Sequence, residues 1–372
     1  MLAAALVSAA LLPVTLAFAP DTLPPQRIAP PPPDLKEWTV PWPGTRPRDP
    51  FVDRKGRVWF VGQEGNYVAY LDRATGKFER YAIPDGTHPH NLVVAPDGKV
   101  WFTGNRNGRL LRLDPVSRAV SEYPMPDPAV ADPHTMILDR GGNAWFTAQN
   151  AGVVGRRDTR SGVIRLWKTG EGTRPYGIEL DRGGRVWFDL FGTNAIGLID
   201  PATMQLRRFP LPDPSSRPRR IAVTADGVVW YGDYARGYLG RLDPKSGSTS
   251  EFKLPAGPAS LPYAMAADDQ GRIWVAETGV TPNRLVAFDP TQRAFTERIE
   301  TGGGSEPNTI RHMTFHVPTR EIWFGTDRNT VGRVRLAPAN RPQADRRSRA
   351  PASQNRSALR RTSSSTGPGS TS

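Results

Sequence analysis

Apolar and polar residues alternate in short runs along most of the chain, and nearly every run ends at a turn containing Asp, Gly or Pro. Short alternating runs bounded by such residues are typical of β-strands joined by tight turns. A 3.6-residue helical period is not seen between them. The pattern therefore predicts an all-β protein.

A repeated Trp divides this pattern into equal units. Its successive positions are 42, 44, 42, 43, 44 and 49 residues apart, at Trp59, Trp101, Trp145, Trp187, Trp230, Trp274 and Trp323. A four-stranded propeller blade has about 40 to 45 residues. We predict a seven-bladed β-propeller of four-stranded blades, with one Trp near the end of each second strand, packed between neighbouring blades.

The ends of the repeat predict how the ring closes. An Asp-Gly or Gly-rich turn precedes the Trp in the first six units, and a strand such as Val120–Pro126 ends the unit. The seventh unit stops after its third strand, near Leu336, whereas residues 35–41 match the fourth-strand pattern. We expect this N-terminal strand to complete the last blade, which removes the exposed edges of an open array.

The segments outside the repeat differ from it in composition. Residues 1–19 are apolar and end in Ala17-Phe18-Ala19, which predicts a signal peptide and export to the periplasm or the medium, the alternative being a retained anchor. Residues 20–34 form a Pro-rich linker, 35–338 the propeller, and 339–372 an Arg- and Ser-rich tail that we expect to be disordered.

Charge and composition restrict the classes of partner and of metal site that this chain could have. The formal net charge is +13, but much of it lies in the tail and the rest is spread along the chain, which argues against a nucleic-acid partner. The absence of Cys excludes disulfides and thiolate metal sites. We expect a monomer whose partner is a small molecule, with no membrane contact beyond the N-terminal segment.

Candidate functional residues are found at a fixed distance before each Trp. In a propeller the first strand of each blade lines the central channel, and the residue eleven before each Trp is never aliphatic: Arg48, His90, His134, Tyr176, Arg219, Tyr263 and His312. Imidazole suits acid–base work, and Arg neutralises anions. A second polar set follows the Trp residues and should return to the same mouth: Gln63, Asn105, Gln149, Asp233, Glu277 and Asp327. We expect a ligand site here, the alternative being a polar, water-filled mouth.

The repeated pieces resemble a known family. A strand like Pro-x-x-Ile, an Asp-Gly turn, Trp-Phe-Thr, Ile-Gly-Arg-Leu and Glu-Tyr-x-Leu-Pro recur from about Leu35 to Leu336. They are similar to those of the streptogramin B lyases, also called virginiamycin B lyases, which are seven-bladed propellers. The resemblance implies metal-assisted elimination, in which a magnesium ion held by carboxylates activates the substrate and a His of the last blade removes a proton.

Carried onto this sequence, the resemblance implies a role for particular residues. His312 matches the base, which would open an ester bond of a cyclic depsipeptide or a related substrate. Asp327 and Glu306 match the metal-binding carboxylates, with Glu277 as a further candidate ligand. Tyr263 stands where the family has a substrate-contacting His, and the remaining ring residues would contact substrate. Two alternatives stay open: a non-catalytic exported ligand-binding propeller and a metal-dependent lactonase-like hydrolase.

Overall fold

The computed structural model describes residues 34–302 and 308–338. These residues form twenty-eight β-strands in seven four-stranded antiparallel sheets, and two short 3-10 segments, Gly257–Ser260 and Val317–Thr319. The sheets are the blades of a ring, so the predicted all-β seven-bladed propeller is confirmed.

Each of the first six blades is built from four consecutive strands. Blade 1 contains β2 (Pro47–Val52), β3 (Arg57–Gly62), β4 (Tyr67–Asp72) and β5 (Phe78–Ala82). Blade 2 contains β6 (Pro89–Val94), β7 (Val100–Gly104), β8 (Arg109–Leu113) and β9 (Val120–Pro124). Blade 3 contains β10 (Pro133–Leu138), β11 (Ala144–Ala148), β12 (Val153–Arg157) and β13 (Ile164–Lys168).

The next three blades repeat this order. Blade 4 contains β14 (Pro175–Leu180), β15 (Val186–Leu190), β16 (Ala195–Asp200) and β17 (Gln205–Pro210). Blade 5 contains β18 (Pro218–Val223), β19 (Val229–Asp233), β20 (Tyr238–Leu242) and β21 (Thr249–Lys253). Blade 6 contains β22 (Pro262–Ala267), β23 (Ile273–Glu277), β24 (Arg284–Asp289) and β25 (Ala294–Glu300).

Blade 7 joins the two ends of the described chain. It contains β26 (Ile310–His316), β27 (Glu321–Thr326) and β28 (Thr330–Arg335), and its fourth strand is β1 (Asp34–Thr39), antiparallel to β28. Trp38 of β1 stacks on Trp323 at 5.5 Å between ring centroids. The predicted closure is therefore confirmed, and β1 begins one residue before the predicted start of the propeller.

The repeat Trp residues belong to the core. All seven are at most 5% exposed, and apolar clusters link each blade to its neighbour, as where Trp59 packs with Leu92 and Phe102 of blade 2. Their position within the strand differs from the prediction. Trp101 is the second residue of β7 and Trp59 the third of β3, so the Trp lies near the start of the second strand, directly after the turn.

The conserved spacing of Asp and Trp within this chain's repeats has a physical cause. The carboxylates of Asp53, Asp139, Asp181 and Asp268 each accept the indole N–H of the Trp six residues later, at 2.8–3.1 Å. A buried N–H without a partner is costly, so the turn and the core residue are paired. In blade 5, Thr224 takes this position and the Nε1 of Trp230 has no partner among the described residues.

A β-bulge near the start of each first strand shapes the channel. In all seven blades the register between the first two strands shifts a few residues into the first strand, as between Pro89 and Leu92. A bulge adds one residue and re-aims the side chains beside it. Two consecutive residues, such as His90 and Asn91, therefore both line the channel at different depths.

The predicted signal peptide (1–19), the linker up to Pro33, and the basic tail (339–372) lie outside the described residues. Within residues 34–302 and 308–338, no helix has the length and apolar character needed to span a membrane.

Candidate functional site

The channel opens at one end into a polar cup. This cup has a volume of about 240 Å³ and is lined by the first strands of all seven blades together with neighbouring loops. Six of the predicted ring residues meet there: Arg48, His90, His134, Tyr176, Arg219 and Tyr263. Counting from the Trp residues thus located the mouth in six blades.

The seventh blade departs from this rule. Arg311, not His312, lines the cup. In blade 6, Ala266 lies opposite Trp274, eight residues away, whereas in blade 7 Thr314 lies opposite Trp323, nine residues away. The hairpin turn with the 3-10 segment Val317–Thr319 holds one extra residue, so a count of eleven falls one position too deep. The expectation that His312 lies in the ring is therefore wrong by one residue.

Aromatic rings form a continuous arc around half of the cup. The ring centroids of His90 and His134 are 3.5 Å apart, and those of His134 and Tyr176 are 4.1 Å apart. The hydroxyl of Tyr176 shares a hydrogen bond with that of Tyr263. This arc gives one wall of the cup flat apolar faces with polar edges, a surface suited to organic ligands.

Arginines complete the cup and make it cationic. Arg46, Arg48, Arg219 and Arg311 line it, whereas Asp132 is the carboxylate among the cup-lining residues of the described chain. The guanidinium carbon of Arg219 lies 3.8 Å from the ring centroid of Tyr263 and 4.3 Å from that of Tyr234. Burial raises the pKa of Asp132. The cup is therefore an anion-attracting concavity.

The titratable groups of the arc respond to this charge. Burial, and then the nearby guanidiniums, hold the pKa values of His90 and His134 well below the ordinary value, so both imidazoles are neutral. Burial alone would raise the pKa of Tyr263, but the surrounding guanidiniums, Arg219 first, outweigh it and lower this pKa to about 8. Its partner Tyr176 shows the opposite direction, because burial and the neighbouring Tyr263 both raise its pKa.

Below the cup lies an inner chamber of about 170 Å³, and His312 lines it. Asp49, also buried, lies at the same depth and accepts a hydrogen bond from Asn91 Nδ2 at 2.9 Å. Arg220 crosses this layer, with Nη1 3.1 Å from Thr135 Oγ1 and Nη2 3.6 Å from Asp49 Oδ2. The Nδ1 of His312 has no hydrogen-bond partner among the described residues.

The inner chamber disfavours added charge. Burial lowers the pKa of His312 to about 4, since the guanidiniums of Arg220 and Arg48 offset the attraction of Asp49. Burial also raises the pKa of Glu179 to about 7 and that of Asp189 well above its usual range. His312 is therefore a neutral base near pH 7, and Glu179, which lines the same chamber, holds its proton more tightly than usual.

Asp327 and Glu277, the two described candidate magnesium ligands, are each paired with an arginine. Both carboxylate oxygens of Asp327 accept hydrogen bonds from Arg311, with Nε 3.1 Å from Oδ1 and Nη2 2.7 Å from Oδ2. The Nε of Arg46 lies 3.8 Å from Oδ1 of the same carboxylate. Glu277 accepts the Ala256 N–H and the Ser260 hydroxyl, both at 2.8 Å, and pairs with Arg284.

Glu306 lies outside the described residues. Within those residues, no group of three His, Asp or Glu side chains is placed to hold a metal ion. The described carboxylates, held by guanidiniums, do not fit a magnesium site.

Of the polar residues that follow the Trp residues, some line the cup and others do not. Gln63, Asn105 and Gln149 line the cup as expected, whereas Asp233 is fully buried and pairs with Arg236. Counting from the Trp residues missed Arg46, Asp132, Asn150 and Arg311. Aligning the first strands on their apolar residues would have found Arg311, because Met313 follows it by two residues, as Met265 follows Tyr263.

Comparisons with known proteins agree with this architecture. The family model described as "Virginiamycin B lyase family" matches residues 33–334. A streptogramin B lyase structure has a TM-score of 0.73 and 25% identity, covering 82% of this chain and 97% of its own. A search of curated proteins gave no match.

Two structures of virginiamycin B lyase from Staphylococcus aureus are similar to the same degree. One is selenomethionine-substituted, with 27% identity, and the other is a catalytically inactive His-to-Ala variant with quinupristin, with 26% identity. Both have a TM-score of 0.73 and cover 82% of this chain and 99% of their own. With the family model matching most of the chain, this seven-bladed propeller belongs to the virginiamycin B lyase family.

Proposed function

We propose that this protein is a carbon–oxygen lyase that takes an anionic organic substrate in the cup and opens an ester by elimination. The observation that carries the proposal is the convergence of Arg48, Arg219 and Arg311 with Tyr176 and Tyr263 on one cavity. Fixed positive charge beside a group able to accept a proton is what removal of a carbon-bound proton requires.

Family membership supports the type of reaction, and the cup supports the type of substrate. At about 240 Å³ the cup is smaller than the range of roughly 300–1,000 Å³ common for drug-sized ligands. It would hold a small acid, or one acidic arm of a larger molecule whose remainder stays outside. At 25–27% identity, the substrate of the lyases is not carried over to this chain, and the substrate class is inferred from the cup.

The metal-assisted form of the reaction, with Asp327, Glu306 and Glu277 as ligands, is not the form we propose. The two described carboxylates are engaged by Arg311 and Arg284, so no step is assigned to a metal ion. The lactonase-like alternative needs such an ion as well. His312 stays a candidate base from the layer below the cup, and export and a monomeric state stay predictions from the sequence.

The test is an assay of bond cleavage with product identification. Wild-type protein is incubated with β-acyloxy carboxylates of increasing acyl size, beginning with β-acetoxybutanoate. Elimination gives acetate and crotonate, whose conjugated double bond absorbs in the ultraviolet, whereas hydrolysis gives acetate and β-hydroxybutanoate. We expect unsaturated acid from at least one member. Hydrolysis products alone, or ligand binding with no cleavage of any member, would overturn the proposal.

A further inference from the structure

Tyr263 lies among the guanidiniums of the cup. It is 2% exposed, yet it lines the cavity, and its hydroxyl is hydrogen-bonded to that of Tyr176, the neighbouring ring of the arc. Ionised, Tyr263 would accept this hydrogen bond from Tyr176. A buried phenolate with one donor and open access to a cavity is arranged as a base.

Charged and titratable groups face Tyr263 from four other blades. Arg219 and Arg220 come from β18, Arg48 from β2, Arg311 from β26 and Tyr176 from β14, with Tyr234 after β19. Arg219 lies 3.8 Å from the ring centroid and Arg311 5.7 Å. These guanidiniums favour the phenolate over the phenol, which agrees with a pKa lowered to about 8.

We propose that Tyr263 is the base of the elimination and that Arg48, Arg219 and Arg311, rather than a metal ion, stabilise the charge that develops on the substrate carboxylate. This inference rests on the proposed function. It names the substrate class as β-acyloxy carboxylic acids, in which the acidic carbon lies next to a carboxylate and the leaving oxygen lies on the following carbon.

The step balances without a co-reactant. The Tyr263 oxygen forms a bond to the proton on the α-carbon, and the electron pair of the broken C–H bond becomes the carbon–carbon double bond. The Cβ–O bond breaks and its electron pair leaves with the acyloxy oxygen as a carboxylate. Nothing is oxidised or reduced, and the proton on Tyr263 returns to solvent before the next turnover.

The other candidate bases fit this position less well. His312 lies one layer deeper, beside Asp49 and Arg220, and does not line the cup. His90 and His134 lie face to face, 3.5 Å between centroids, which gives them the geometry of a flat wall. Tyr176 and Tyr263 both line the cup and both contact guanidiniums, but Arg219 lies closer to the ring of Tyr263, at 3.8 Å, than to that of Tyr176, at 5.2 Å.

The experiment compares wild type with Tyr263→Phe and His312→Gln on the substrate that wild type eliminates. Phe keeps the ring under Arg219 and removes the oxygen. We expect Tyr263→Phe to lower kcat at least about a hundredfold, the lower range for loss of a general base, with KM changed less than about threefold. His312→Gln removes the alternative base of the inner layer, and its kcat should fall much less than that of Tyr263→Phe.

Two further readouts separate a base from a structural residue. Wild-type kcat should rise with pH to a plateau above about pH 8, since the phenolate is the active form, and the residual rate of Tyr263→Phe should lack this step. Excess EDTA should leave wild-type turnover unchanged. Calorimetric binding of benzoate, a non-reacting carboxylate probe, should persist in Tyr263→Phe and shows that the variant is folded.

Each outcome has one meaning. Elimination that Tyr263→Phe leaves intact, or that EDTA abolishes, overturns this inference while the proposed function stands. Elimination lost in His312→Gln and retained in Tyr263→Phe assigns the base to the inner layer instead. If wild type eliminates no substrate of the class, the proposed function itself fails.

Discussion

The guanidinium of Arg311 binds both carboxylate oxygens of Asp327, with Nε 3.1 Å from Oδ1 and Nη2 2.7 Å from Oδ2. Two parallel hydrogen bonds of this kind fix the geometry of both partners. The pair holds Arg311 at the cup, and it occupies the carboxylate that sequence comparison suggests as a metal ligand. The same contact therefore gives the cup its charge and removes a ligand for a cation.

Substitution of this carboxylate distinguishes an anion site from a metal site. Asp327→Asn keeps the size of the side chain and removes one negative charge from the rim. We expect benzoate to bind about three- to tenfold more tightly, because Arg311 is no longer neutralised. Titration calorimetry measures the change. Weaker binding of benzoate by Asp327→Asn, together with wild-type binding that requires Mg²⁺, would point to a metal-bound ligand instead.

Acid stability should depend on His312. Its pKa is about 4 in the folded chain and near 6.5 when unfolded, so the unfolded state binds the proton first as the pH falls. Stability is therefore lost between about pH 6.5 and pH 4.

Between about pH 7 and pH 5, the free energy of unfolding should fall by about 1–2 kcal/mol less in His312→Gln than in wild type. Chemical unfolding at both pH values measures this difference. His88→Gln, at a loop beside Arg106, is the matched control and should follow wild type. Equal losses in all three proteins would contradict a neutral His312.

Glu179 should show the reverse dependence. Burial raises its pKa to about 7, so stability is highest below the unfolded pKa and falls as the pH rises through about 7. We expect Glu179→Gln to be more stable than wild type by about 1–3 kcal/mol near pH 8 and about equal near pH 4. Thermal unfolding at both pH values tests this. Glu122→Gln, on the outer strand β9, should show no such gain.

The bonds between turn and core should contribute stability in the blades that have them. Asp268 accepts the Trp274 indole N–H at 3.0 Å and two backbone N–H groups of its own turn. Asp268→Ala should cost about 1–3 kcal/mol, because a buried N–H loses its partner. Asp97→Ala changes the exposed turn of blade 2, where the Lys99 N–H is the donor, and should cost much less in the same unfolding measurement. Similar losses would show that the Trp bond adds little.

The fold was predictable because its signals are local. The sequence shows a Trp at blade spacing, a turn with Asp before it, and a fourth-strand pattern at residues 35–41. The structure adds that the Asp of the turn binds the Trp. The cup was predictable in six blades, since a constant hairpin length makes counting equivalent to strand register.

The seventh blade shows where this reasoning stops. One additional residue between His316 and Glu321 moves Arg311 to the cup and His312 into the chamber, a change that residue counts alone do not reveal. The pairing of Glu277 with Arg284 and that of Asp327 with Arg311 depend on side-chain directions across a hairpin. Sequence reasoning identified these carboxylates, but not the guanidiniums that engage them.

The most direct test of the central claim, a cup that binds anions through arginine, is calorimetric titration of benzoate in the presence of EDTA, with benzamide as the neutral analogue. Proteins compared are wild type, Arg219→Gln, and Arg293→Gln as a control on the outer side of blade 6, where Arg293 lies over Phe252. We expect benzoate to bind wild type and Arg293→Gln equally, to bind Arg219→Gln about tenfold more weakly or worse, and benzamide to bind none of them. Equal affinity of wild type and Arg219→Gln for benzoate, or binding that requires a divalent cation, would contradict the account.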